Sequence, residues 1–168
     1  MDIKLTDKDK IRIGNPDDLY GVMQRILLRE NKIDRDREHF WVVGMNNATT
    51  ILYIELIALG GSSCVQVEPM NVYRVAILKG ATQIIAVHNH PSGAMEASKY
   101  DLDITDRLMA VGRIIDIKFQ DHLIINTKTF MSFKREGLMD ELEKSLKYVP
   151  PYMIADNIKA ELIANTVK

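Results

Sequence analysis

The sequence is poor in the residues that staple small secreted domains and in the runs that cross membranes. It has one cysteine in 168 residues, Cys64, which excludes an intrachain disulfide and any Cys-x-x-Cys zinc site and agrees with a reducing cytoplasm. Cys64 follows Gly60-Gly61-Ser62-Ser63, a turn-like setting that lends a nucleophilic role little support. No stretch approaches the roughly 18 apolar residues of a membrane span, and Met1 to Lys8 holds no apolar signal region. Charge of one sign is also missing: 22 basic against 23 acidic side chains leave a net charge of -1. Bulk charge therefore advertises neither nucleic acid nor an anionic membrane. Internal repeats and low-complexity tracts are absent, and a cytoplasmic protein is expected.

What is present suits one globular domain. With 46% hydrophobic and 27% charged residues, the chain can bury a sizeable core. Residues 1–148 read as the domain, with 1–14 as an arm or an edge strand around Ile11-Arg12-Ile13, and 149–168 as a helical tail set off by Pro150-Pro151. Asn15-Pro16-Asp17-Asp18 starts a helix that carries Leu19, Val22, Met23, Ile26 and Leu27 on one face to about Glu30. Strands follow over 38–45 and 50–59, joined through Asn46-Asn47. A helix from Pro69 ends at Lys79-Gly80, and another runs from Ser98 to about Val111 with a stop at Gly112. Two more strands are expected over 114–119 and 122–126, then a short helix within 130–147. In the tail, Ile154, Ile158, Leu162 and Ile163 share a helical face that can dock on the body or on a second copy, as in a homo-oligomer. This alternation predicts an α/β (α+β) layer fold with a mainly antiparallel or mixed sheet.

The chemistry concentrates in Val87-His88-Asn89-His90-Pro91-Ser92-Gly93 and in Ser98 and Asp101 beyond it. It holds two of the four histidines. After the apolar run Ile84-Ile85-Ala86-Val87, strand alternation sends His88 and His90 to one face and Asn89 to the other. Pro91-Ser92-Gly93 turns the chain, and a helix starting at Ser98 brings Asp101 back past the strand end. Two imidazoles and one carboxylate without thiolates suit an open hydrolytic metal site better than a closed structural one. Ser98-x-x-Asp101 is also helix-capping chemistry, and the two roles can coexist.

The spacing His88-x-His90, seven residues, Ser98, two residues, Asp101 resembles the JAMM signature of the JAB/MPN metalloprotease superfamily. The fuller run through Thr105, Arg107-Leu108, Gly112 and Asp121-His122 is similar to its RadC-like branch. That resemblance covers about 15–138. It implies a JAB/MPN-type curved mixed sheet flanked by helices, with Zn2+ held by His88, His90 and Asp101. It further implies a glutamate acting as general acid and base on the zinc-activated water, for which Glu38 is the match; Glu55 is the competitor and Glu30 lies too early. Ser98 would help to stabilise the oxyanion. His122 either lines the cleft or makes a bond behind the ligands, His39 points away from the site, and Asn89 ties down the loop. The linker Ala94-Met95-Glu96-Ala97 departs from the branch, which commonly has proline before the serine.

The function implied is a zinc-dependent hydrolase, a metalloprotease acting on a peptide or protein substrate. The alternative within the branch is a DNA-repair or mobile-element accessory acting on or near nucleic acid. Full-length members tend to carry an N-terminal helix-hairpin-helix, for which the arm before Asn15 is too short. Contiguous His-Asn-His is not the dispersed HNH nuclease motif, and a zinc deaminase would need paired thiolates. A noncatalytic relative would be expected to have lost the ligand set that this chain retains.

Overall fold

The computed structural model describes residues 3–6, 11–60 and 66–156. At its centre is a five-stranded sheet in the order β2-β1-β3-β4-β5. The strands are β1 (His39–Met45), β2 (Ile51–Leu59), β3 (Gln83–Asn89), β4 (Lys118–Ile125) and β5 (Phe130–Ser132). Every neighbouring pair is antiparallel except β3–β4, which is parallel. A parallel pair needs a crossover, here supplied by helix α4 (Lys99–Ile114). The result is the mixed α/β arrangement of a JAB/MPN fold.

Both faces of the sheet are covered, which is why β1 and β3 are buried at every position and carry the apolar runs Phe40–Val43 and Ile84–Val87. Alternation sorts their side chains between two cores. Trp41, Val43, Met45, Ile85 and Val87 pack with Leu19, Val22, Met23, Ile26 and Leu27 of helix α1 (Pro16–Arg29). Phe40, Val42, Ile84 and Ala86 pack on the other face with Val72, Tyr73 and Ala76 of helix α3 (Pro69–Leu78) and with Ile104 and Leu108 of α4. The single turn α2 (Lys32–Arg35) lies in the charged connector between α1 and β1. Helix α1 begins as its sequence predicts: Asn15 accepts from the backbone of Asp17 and Asp18, and Asp18 closes the capping box. The arm is tied to the hairpin at Ile3 N to Ile54 O, 2.8 Å, and by the Arg12–Thr50 bridge.

Several boundaries differ from expectation. The β1–β2 turn is longer than Asn46-Asn47: Asn46 Oδ1 accepts from Ala48 N and Thr50 N, both at 3.0 Å, and Thr49 takes the left-handed conformation at φ 60°. Gly112 does not stop α4, which continues to Ile114. Its role is close approach, because a Cβ there would lie 2.5 Å from Ile117 O and 2.6 Å from the Tyr73 hydroxyl. The expected strands over 114–119 and 122–126 are the single strand β4, whose pairing with β3 shifts by one residue at Gln120. The stretch 130–147 forms β5 before its helix, α5 (Leu138–Glu143). Residues 151–156 are helical. Ile158, Leu162 and Ile163 of the proposed docking face, like Cys64 and most of the turn before it, lie outside the described residues.

Candidate metal centre

His88 is the penultimate residue of β3 and projects to the α4 side, fully buried. His90 lies just past the strand end, where its backbone N–H donates to Ile125 O of the parallel neighbour β4 at 3.3 Å. The chain then reverses: Gly93 N donates back to His90 O at 3.0 Å and Gly93 sits at φ 80°, a left-handed geometry that glycine adopts without strain. The linker leads to Ser98, the N-cap of α4, and three residues on to Asp101.

These segments bring the residues expected of a metal site together. His88 Nε2 and His90 Nε2 lie 2.8 Å apart, and Asp101 Oδ1 and Oδ2 are 3.3 Å and 3.6 Å from them respectively. Glu38, at the mouth of β1, completes the cluster, with one potential ligand atom from each of the four residues lying within 4.8 Å of the others. Glu55, the competitor, faces Val42 in the β1–β2 pairing and is not part of the group. The cluster opens on a cleft of about 370 Å³ lined by Glu38, His90, Ser98, Tyr100 and Asp101 among others.

The donor chemistry fits a divalent ion. His90 Nδ1 lies 2.9 Å from Ala94 O, and a carbonyl can only accept, so Nδ1 carries a proton and Nε2 is the nitrogen left to ligate an ion. That nitrogen lies beside the Nε2 of His88 and the carboxylate of Asp101, a set of nitrogen and oxygen atoms of the kind used by open zinc sites. Asp101 also serves its own helix. Its Oδ2 accepts from Ser98 N at 2.7 Å and from Ser98 Oγ at 2.6 Å, while Ser98 Oγ accepts from Asp101 N at 3.1 Å. The one hydroxyl proton of Ser98 is therefore directed at Asp101, and oxyanion stabilisation by Ser98 requires that bond to be released.

The electrostatics separate the members of the cluster. Burial pushes the Glu38 carboxyl up, the neighbouring Asp101 charge adds to this, and His90 opposes it. Burial lowers His88 to about 4 despite the attraction of Asp101. His90 is raised, chiefly by its interaction with Asp101. For Asp101 burial acts upward, but His90, His88 and the Ser98 cap together hold the carboxyl well below the ordinary range. Near neutral pH the arrangement is an ionised Asp101 beside a neutral His88, the form that would ligate an ion.

A profile of the RadC-like JAB domain family matches residues 13–138. The chain belongs to that family. Its relatives include proteins named UPF0758 from Desulforudis audaxviator, 41% identical over 61% of this chain and 45% of the relative, and from Desulforamulus reducens, 38% identical over 77% and 55%. A third, from Caldanaerobacter subterraneus, is 36% identical over 80% of this chain and 56% of its own length. The chain thus spans about half the length of the curated relatives it matches.

Around the cluster of this RadC-like JAB domain, three further residues take part that the spacing motif leaves out. Asn89, on the opposite face from His88, accepts from His39 N at 2.8 Å and donates to Arg37 O at 2.9 Å, which pins the backbone on either side of Glu38. The loop it ties is the one that carries the glutamate. His122 lies fully buried behind His88, at 2.8 Å, and Thr105 of α4 lies 2.6 Å from His122. His39 stacks on Trp41 with ring centroids 4.9 Å apart and stays out of the cluster, as its strand position predicts. Among the described residues no helix is long and apolar enough to cross a membrane.

Proposed function

We propose that this domain is a zinc-dependent hydrolase that cleaves peptide or isopeptide bonds in a cytoplasmic protein substrate. The observation that carries this reading is the convergence of Glu38, His88, His90 and Asp101 in one cluster, three of whose members line a cleft, in a domain of a superfamily that includes metalloproteases. His88, His90 and Asp101 would hold the ion. Zinc so held supplies Lewis acidity, lowering the pKa of a water and polarising an acyl carbonyl. Glu38 manages the proton: its carboxylate accepts from the attacking water and returns the proton to the amide nitrogen that leaves. Its raised pKa brings acceptance and return closer to balance near neutral pH. Ser98, at the N-terminus of α4, donates its hydroxyl to the oxygen that gains charge once the bond to Asp101 is released.

An accessory role on nucleic acid ranks second, because a net charge of -1 offers no general attraction to phosphate. The deciding experiment is metal analysis of the purified chain coupled to a screen of peptide and isopeptide substrates. One zinc per chain, lost in His88→Ala and Asp101→Ala, together with cleavage abolished by chelator, is the expected result. Full zinc retention in both variants would refute the ligand assignment.

A further inference from the structure

His122 sits at the centre of a buried polar chain inside an otherwise apolar wall. Its ring packs against Phe133 and Phe40, with centroids 4.7 Å and 5.5 Å away, and its surface is inaccessible to solvent. Both of its nitrogens are nonetheless engaged: Nε2 lies 2.8 Å from His88 Nδ1, and Nδ1 lies 2.6 Å from Thr105 Oγ1. Thr105 Oγ1 in turn lies 2.6 Å from the backbone carbonyl of Asp101.

The direction of every bond in this chain follows from its last member. A carbonyl has no proton, so Thr105 donates its hydroxyl hydrogen to Asp101 O. The hydroxyl has no second hydrogen, so Thr105 Oγ1 accepts from His122, which must carry its proton on Nδ1. A neutral imidazole has one N–H, which leaves His122 Nε2 as an acceptor. His88 therefore donates from Nδ1, and the Nε2 of His88 is left bare, facing Asp101 Oδ1 and His90. The opposite polarity would demand a donor where the Asp101 carbonyl stands. A second proton on His122 would place a charge among Phe40 and Phe133 and leave His88 Nδ1 as the acceptor.

We propose that Thr105 and His122 are positioning residues which hold His88 in its Nδ1–H tautomer, so that its Nε2 lone pair is presented to the metal position before any ion arrives. The inference rests on the metal-centre reading given above. A purely space-filling role for His122 would call for a ring of this size without regard to which nitrogen bears the proton; the carbonyl of Asp101 makes that choice. The Nδ1 proton of His90 has an independent anchor, Ala94 O, and in the metal-free chain a proton on His90 Nε2 bridges the 2.8 Å contact to the bare His88 Nε2. The two histidines are thus prepared separately, one from the helix and one from the linker.

The test combines two measurements on the full chain. In the metal-free wild type, long-range proton–nitrogen NMR correlations of labelled histidines should show both His88 and His122 protonated on Nδ1; an Nε2–H tautomer at either ring would overturn the proposal. In chelator competition, His122→Phe should weaken zinc binding by about 10- to 100-fold. His122→Gln, whose amide can accept from His88 and donate to Thr105, should recover most of that loss. Thr105→Val should weaken binding while Thr105→Ser stays within a few-fold of wild type. This second pair decides the matter if His122→Phe does not fold. Unchanged zinc affinity in folded His122→Phe, or in Thr105→Val, would refute the role. If the wild type binds no zinc the metal-centre reading fails, while the tautomers still decide the wiring.

Discussion

Asp101 turns one carboxylate oxygen to Ser98 and the other to His88: Oδ2 accepts from the Ser98 backbone at 2.7 Å, and Oδ1 lies 3.3 Å from His88 Nε2. The cap of α4 and the candidate ligand are one group. Helix formation and site formation are therefore coupled at this residue, and removing the cap should be felt in both.

Ser98→Ala is expected to cost about 1 kcal/mol of stability, the usual cost of deleting a helix cap. It should also weaken zinc binding, because Asp101 loses the hydroxyl that orients it. Denaturant unfolding and chelator competition on the same variant check the pair. A stability loss with unaltered zinc affinity would separate the two roles.

Zinc at about 100 times its dissociation constant should add roughly 2.7 kcal/mol to stability. For a chain of this size that is a rise of about 5 to 10 °C in Tm, reversed by chelator. Glu38→Gln should keep that shift and lose turnover by about 100-fold or more. Full activity in the variant would move the proton-handling group elsewhere.

Acid should destabilise the metal-free protein. Burial holds His88 down at about 4 and His122 well below the ordinary 6.5, so the unfolded chain takes up protons that the fold refuses. Stability then falls as pH drops from about 6.5 toward 4, by up to about 1.4 kcal/mol per pH unit for each histidine. His90, raised by Asp101, works in the other direction: its contribution is present below 6.5 and is lost as pH rises through its folded value. Glu38 and Asp121, whose carboxyls burial pushes up, act in the same direction as His90; the two fully buried rings outweigh these partly buried groups. Asp101, depressed in the fold, adds its own loss only below its ordinary 3.8. Unfolding free energies at pH 7, 6 and 5 in chelator check the sign, and a rise on acidification would contradict the assignment.

Asn89→Ala should affect turnover more than metal binding. It removes the acceptor for His39 N and the donor to Arg37 O, at a cost of about 1 to 3 kcal/mol for the buried group left unpaired. Glu38, lying between those two residues, keeps only the bond its carbonyl accepts from Gly60 N, whereas the backbone of His88 remains held by pairing with both β1 and β4. The expected outcome is near-normal zinc affinity with a lower kcat.

The parts of the site that were legible in the sequence lie close together along the chain. His88 and His90 could be put on one strand face by alternation, and Ser98 and Asp101 one helical turn apart by capping. Glu38 was identified through family resemblance, since strand geometry by itself makes it a solvated strand end. Thr105 and His122 were visible as residues but their partnership was not, because it is made across α4 and β4 and involves a backbone carbonyl that carries no sequence signal. Gly112 read as a helix stop because glycine commonly ends helices; its actual constraint, the approach of Tyr73, comes from another element. The two strands expected over 114–126 merged because the polar Gln120-Asp121 looks like a turn when the bulged pairing to β3 is unseen.

That shift at Gln120 sets the phase of everything after it. Upstream, Phe119 stands opposite Ile84; downstream, Asp121 stands opposite Ile85 and His122 opposite Ala86, with Gln120 supernumerary between them. Were the same residues paired without that shift, Val87 would face His122, and the imidazole would turn to the α1 side of the sheet, away from His88. Deleting Gln120 should therefore straighten β4 while leaving His122 opposite Ala86 and on the His88 side of the sheet. The bulge thus lets Phe119 and His122, an odd number of residues apart, share one face of the sheet and one core.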